Sequence, residues 1–237
     1  MRVTFLAHDG FLIELNTVCL LFDWWKEPIP PLPDKPLLVF ISHRHEDHFN
    51  PEVFTLAERK ADIQFLLGSD FHLLSRNLEK WRLTPEAAAK CRRCGKHDVF
   101  QPLPAVTVET FPSTDEGVAW MVTVEDKAIF HAGDLNWWHW AEEGDAWNRN
   151  MEVNFKRYTE PLRGRRADLA MLPLDPRLGS GGDLGPDYFL GLMDVRRFFP
   201  MHQWDHFEFT DEFLKRYPQF APITVKIHHN LETFQLD

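Results

Sequence analysis

Ser42-His43-Arg44-His45-Glu46-Asp47-His48 places three histidines and Asp47 within six consecutive residues. The run Pro36-Leu37-Leu38-Val39-Phe40-Ile41-Ser42 leads into it, apolar without interruption, as in a strand buried on both faces. Asn50-Pro51 follows, an N-cap side chain with proline at the first helical position, so a helix is expected from there to about Arg59. The histidines therefore occupy a strand-to-helix loop. His43 and His45, at i and i+2, reach the same side of an extended segment, and Asp47 and His48 turn away as the helix begins. Imidazole and carboxylate donors in this arrangement suit zinc, iron or manganese. A solvated histidine-rich loop is the plain alternative, but it does not account for the coincidence with a strand end and a helix cap.

Working outward, residues 3–7, 10–15 and 18–22 are short strands separated by His8-Asp9-Gly10 and Asn16-Thr17 turns. A proline-rich connector covers residues 28–36. A strand at 63–67 follows, then helix over about 70–96 with Phe71, Leu74, Leu78 and Trp81 at helical spacing. Strands at 105–111, 117–124 and 128–131 come next. The second half alternates again: helix about 151–162, strand 168–172, a Gly/Pro-rich loop 173–186, helix 187–195, strand 198–201 ending at His202, helix 210–216 and strand 223–227. Antiparallel strands followed by helix-flanked strands, in each half, suit an α/β (α+β) fold built as a four-layer αββα sandwich. No Gly/Ser linker or shift of composition divides the chain, so residues 1–237 are expected to form one domain.

The chain has 237 residues, 44% of them hydrophobic, with nine Trp and twenty Phe, enough for a substantial core. Its formal net charge of −10 opposes the counterion release that drives nucleic-acid binding, so no nucleic-acid partner is expected. The densest basic group, Arg163, Arg165 and Arg166, is too short to change that. Three cysteines do not make a disulfide framework, and no apolar stretch approaches the ~20 residues that span a bilayer, so a cytoplasmic location without membrane attachment is expected. Cys91-Arg92-Arg93-Cys94 lacks a second CxxC and reads as ordinary packing or surface cysteines.

His43-x-His45-x-Asp47-His48 is similar to the HxHxDH signature of the metallo-β-lactamase-fold hydrolases. Three weaker matches follow in the order that superfamily requires. Ala7-His8-Asp9-Gly10-Phe11-Leu12-Ile13-Glu14 resembles the opening strand pair of its lactonase-like branch. Ile129-Phe130-His131-Ala132-Gly133-Asp134 resembles its G-D motif, and Pro200-Met201-His202 its late strand-end histidine. The resemblance spans nearly the whole chain. It implies the αββα sandwich, one or two divalent metal ions (zinc or manganese, with iron a further candidate), and a ligand set in two parts. His43 and His45 would serve one metal, Asp47, His48 and His202 the other, with Asp134 bridging. Asp47 is also the candidate base. The family usually adds a histidine between the first motif and the G-D aspartate. Here that stretch reads Thr110-Phe111-Pro112-Ser113-Thr114-Asp115-Glu116-Gly117; either Asp115 replaces the histidine with an oxygen ligand, or Ser113 leaves the first site weak.

Residues 113–117 and 133–140 further resemble a bacterial subgroup of the superfamily, which implies a position at the mouth of the site for Trp137, His139 and their neighbours as substrate contacts. Trp137, Trp138, Trp140, Trp24 and Trp25 can line an apolar pocket or simply pack. Arg177, after a strand, can meet an anionic substrate or pair with Asp175 or Asp183. The expected activity is hydrolysis of a small, anionic ester, lactone or phosphoester by hydroxide on the metal. A phosphodiesterase or nuclease of the same fold, and a metal-binding protein without turnover, are the alternatives. Oligomeric state is not encoded in any feature of the sequence.

Overall fold

A computed structural model describes residues 1–73 and 75–236. The chain divides into two compact units, Met1–Gly95 with Asn230–Asp237, and Lys96–His229.

In the first unit, β1 (Arg2–Ala7), β2 (Gly10–Glu14), β3 (Cys19–Phe22), β4 (Leu37–Ile41), β5 (Ile63–Leu67) and β6 (Cys91–Arg93) form one sheet in sequence order. The C-terminal strand Thr233–Gln235 pairs outside β1. Pairing is antiparallel from that strand to β3 and parallel from β3 to β6. The apolar run of β4 is buried at every position, as a central parallel strand requires. Leu37, Val39 and Ile41 pack with Val53, Phe54, Phe65 and Leu67 in one core. Pro51–Glu58 is a 3-10 helix, capped by Asn50, whose side chain accepts from the Glu52 N–H.

The continuous helix expected over about 70–96 is instead α1 (Ser75–Lys80), α2 (Pro85–Ala88) and strand β6. Two local features break it: Arg82 has φ 50°, and the Thr84 hydroxyl caps a new helix with proline at its start. Phe71 and Trp81 are buried as expected, whereas Leu74 lies outside the described residues.

In the second unit, β7 (Val99–Leu103), β8 (Val106–Pro112), β9 (Val118–Val124) and β10 (Lys127–His131) form an antiparallel meander. The 15-residue α3 (Asp145–Thr159) leads to β11 (Arg166–Ala167) and β12 (Leu169–Pro173). After α4 (Leu184–Leu192) come β13 (Asp194–Val195), β14 (Phe198–Met201) and α5 (Phe209–Arg216). The sheet order is β14-β12-β10-β9-β8-β7, with β10, β12 and β14 parallel, while β11 and β13 make a separate parallel pair. Pro200 is tolerated because β14 is an edge strand. The strand expected at 223–227 is reduced to an isolated bridge between Phe198 and Thr224.

Both main sheets thus switch from antiparallel to parallel, and loops at the carboxyl ends of parallel strands are where open α/β sheets place ligands. Asp23 follows β3, and Ser42 and His43 follow β4. Asp134, Asp175 and His202 follow β10, β12 and β14. Among the described residues, no helix is long and apolar enough to cross a membrane.

Candidate functional site

In the first unit the β1–β2 turn and the loop after β4 bring their side chains together. His8, Asp9 and His48 offer ligand atoms within 4.8 Å of one another. His48 Nε2 lies 3.0 Å from Asp9 Oδ2, and His8 Nε2 lies 3.3 Å from Asp47 Oδ2. His43 Nε2 is 3.0 Å from His45 Nδ1, and the His43 and His48 ring centroids are 4.1 Å apart. His8, Asp9, His43 and His48 are buried, His45 is exposed, and Asp47 is 21% exposed at its side chain.

Asp23 holds this cluster from behind. Its Oδ1 accepts the Ser42 N–H at 2.7 Å, and its Oδ2 accepts the Ser42 hydroxyl at 2.5 Å. The same Oδ2 is 2.9 Å from His48 Nδ1. A carboxylate on Nδ1 fixes the proton there and presents Nε2 as the donor atom. On the far side, Phe49 packs edge-on against Phe54, Phe71 and Trp81, which anchors the chain next to His48. Asp70 Oδ2 accepts the N–H and the Nε–H of Arg44, both at 2.9 Å, and so pins the loop between His43 and His45.

The second unit repeats the device. His202 Nδ1 lies 3.0 Å from Asp175 Oδ2, and His202 Nε2 lies 3.4 Å from Asp134 Oδ1. Asp175 is fully buried. Burial alone raises its pKa, but the hydrogen bonds of His202 and Arg177 outweigh that and hold it below the ordinary carboxylate value. Asp115 and Asp134 offer oxygens within 4.8 Å of each other. The Thr114 hydroxyl links the two loops, donating to the Asn136 carbonyl at 2.7 Å and accepting the Asn136 N–H at 3.0 Å.

These donors, imidazole nitrogens and carboxylate oxygens without thiolate, fit a divalent zinc, manganese or iron ion in kind. The cysteines are apart from them. Cys91 donates to the Ala87 carbonyl, and burial pushes its thiol pKa up to about 12, which suits packing rather than chemistry.

Of the residues singled out in the sequence, His43, His45, Asp47 and His48 come together in one unit, and Asp115, Asp134 and His202 in the other. Trp137 packs against Phe155 and Tyr188, with Lys156 Nζ 4.4 Å from its ring, so α3 and α4 occupy its surface. Trp138 packs beside His202, at 5.4 Å between ring centroids. His139 is half-buried, and its carbonyl lies against Gly181. Arg177 forms a two-pronged ion pair with Asp175, the second of the two alternatives. Trp24 lines a cavity of about 520 Å³ with Pro28, Ile29, Leu32 and Leu56 in the first unit.

Sequence reasoning missed His8 and Asp9 as candidate ligands, and Asp23 and Asp175 as the carboxylates behind His48 and His202. No sequence pattern marks these four, which are isolated residues at strand ends; the backbone of the folded chain marks some of them. His8, Asp23 and His202 have φ of 57°, 39° and 63°, a region that non-glycine residues adopt at a cost and that concentrates at functional sites.

A UPF0173 metal-dependent hydrolase of Desulforamulus reducens is 28% identical over 150 residues, which are 56% of this chain and 62% of that one. Another, of Pyrobaculum aerophilum, is 22% identical over 212 residues, 85% of this chain and 84% of that one. The chain spans less than two thirds of the length of two of the curated relatives it matches. Igni18, a metallo hydrolase from the archaeon Ignicoccus hospitalis, has a similar structure: TM-score 0.65 at 17% identity, covering 100% of this chain and 99% of that one. The mixed α/β fold of metallo-β-lactamase type expected from the sequence is the fold of such neighbours. The beta-lactamase superfamily domain matches residues 2–146, more than half of the sequence. By that match the chain belongs to the beta-lactamase superfamily.

Proposed function

We propose that the protein is a metal-dependent hydrolase acting on a small anionic ester, lactone or phosphoester. The observation that carries the reading is the pair of buried carboxylate–histidine couples, Asp23–His48 and Asp175–His202, each leaving an imidazole Nε2 within 3.4 Å of a further carboxylate. Buried histidines backed by a carboxylate on one nitrogen and facing another on the second have the donor chemistry of a metal site. His43, His45, Asp47, His48, Asp115, Asp134 and His202 are our ligand candidates, joined by His8 and Asp9, for one or two zinc, manganese or iron ions. A cation held there lowers the pKa of a coordinated water toward neutrality and polarises the scissile carbonyl or phosphoryl oxygen.

The chain's own groups do the rest. Asp23 and Asp175 keep the proton on Nδ1 of their histidines. Asp47, partly open to solvent, is our candidate for the base that takes the water's proton on a carboxylate oxygen and returns it to the leaving group. The relatives named as metal-dependent hydrolases support the reaction class. The substrate class rests on the lactonase-like pattern of residues 7–14, and the net charge of −10 weighs against a long polyanion.

The test is metal analysis of protein purified without chelator, then turnover of chromogenic esters, lactones and phosphodiesters with Zn²⁺ or Mn²⁺. His48→Ala and His202→Ala are each expected to lose metal and to lose activity by about 10²-fold or more. Wild-type protein that takes up no metal, or variants that keep full metal content, would overturn the reading. Metal uptake with no turnover of any ester would leave a binding protein in its place.

A further inference from the structure

Asp175, Arg177, His202 and Trp204 form a closed ring of contacts in the second unit. Asp175 bonds His202 Nδ1 at 3.0 Å. The His202 ring meets Trp204 edge to face, at 5.8 Å between centroids and 84° between planes. Trp204 lies under the Arg177 guanidinium, whose carbon is 4.4 Å from the ring centroid. Arg177 closes the circuit on Asp175, donating from Nε at 3.0 Å and Nη2 at 2.6 Å, and from its backbone N–H at 2.9 Å.

Two physical facts give this ring a purpose. First, the turn it surrounds is strained: His202, Trp204 and Asp205 have φ of 63°, 52° and 63°. Left-handed backbone is disfavoured for residues that carry a Cβ, so relaxation is favoured wherever neighbours do not oppose it. Second, the guanidinium is already committed. The Nε–Nη2 edge that would grip a substrate carboxylate or phosphate is on Asp175, and one face is on an indole. An arginine used this way is a clamp.

We infer that Arg177 is a positioning residue for His202, locking Asp175 and Trp204 around the imidazole so that the left-handed turn holds one ring orientation. The metal consequence rests on the proposed hydrolase reading; the orientation itself does not. Trp138, 5.4 Å from the same ring, completes the cage, and its Nε1–H donates to the Asp134 carbonyl at 3.1 Å.

The test uses the full chain and two readouts. In metal-free protein, long-range proton–nitrogen spectra, with His202 assigned through His202→Gln, are expected to show a single Nδ1–H tautomer. Arg177→Met should average the two ring nitrogens. In the second readout, competition with a chelator should show Zn²⁺ affinity falling by about 10- to 100-fold in Arg177→Met. Arg177→Lys, which keeps a charge on Asp175 but no fork, should recover part of both signals. An unchanged His202 spectrum in folded Arg177→Met overturns the proposal. Should that variant fail to fold, an unchanged spectrum in Arg177→Lys overturns it equally. If the wild-type protein takes up none of Zn²⁺, Mn²⁺ and Fe²⁺, the hydrolase reading fails while the metal-free spectra still decide the role of Arg177.

Discussion

Asp23 takes the Ser42 N–H, the Ser42 hydroxyl and His48 Nδ1 on two oxygens, in a fully buried position. An amide of the same shape has one acceptor oxygen, and its NH2 must face either a donor or an occupied nitrogen. Asp23→Asn is therefore expected to cost about 1–3 kcal/mol of stability, measured as a shift of the urea midpoint. The Zn²⁺ affinity of the folded variant should also fall, by about 10- to 100-fold in a chelator competition. An unchanged affinity would mean that Ser42 and the packing of Phe49 suffice to aim His48. Asp23 also marks what a sequence shows at this scale. The His43–His48 segment declares itself because its donors are consecutive. Asp23, Asp175, His8 and Asp9 are isolated residues at strand ends, and only the pairing of strands brings them to the histidines. Arg177 sits between: its two roles were both legible, and only coordinates distinguish an arginine on Asp175 from one waiting for an anion.

At the scale of elements, long apolar strands were the most legible and short polar pieces the least. β5 and β14 fall where hydrophobic runs predict them, because a strand in a parallel array is apolar on both faces. β6 and the C-terminal strand, three residues each, carry too little pattern to announce pairing. Asp168 shows how such pieces are joined. Its carboxylate accepts the Ala128 N–H of β10 at 3.0 Å, Arg166 of β11 at 2.5 Å and Arg196 beyond β13 at 3.4 Å. Burial raises its pKa, yet the Ala128 N–H and the two arginines outweigh that, and the folded-state value lies below the ordinary 3.8. A depressed carboxylate adds stability that is fully present above the unfolded-state pKa and is lost as pH falls through the folded one. Asp168→Asn should therefore be less stable than wild type at neutral pH, with the gap narrowing as pH drops below 3.8. Urea midpoints across an acid series measure it. A gap that stays constant with pH would assign the role of Asp168 to shape and packing instead of charge.

At the scale of the whole molecule, the two compact units adjoin in sequence at Gly95–Lys96 and at His229–Asn230, with no linker tract at either point. Each unit carries a buried carboxylate-backed histidine, His48 in one and His202 in the other. Ligand that binds only the folded state stabilises it by RT ln(1 + [L]/Kd), about 2.7 kcal/mol at a hundredfold excess over Kd. That gain appears as slowed amide exchange in whatever segments must open before the ligand is lost. If the proposed ligands are the true ones, Zn²⁺ should raise protection in two separate stretches, the loop after β4 around His48 and the turn after β14 around His202. In His48→Ala the gain should shrink in the loop after β4, since weaker binding withdraws its stabilisation from the loop that carries the ligand. Hydrogen exchange read by mass spectrometry, with and without Zn²⁺, measures this directly. Protection confined to the His43–His48 loop would remove Asp134 and His202 from the ligand set. It would also leave the Asp175–His202 couple as a structural device of the second unit alone.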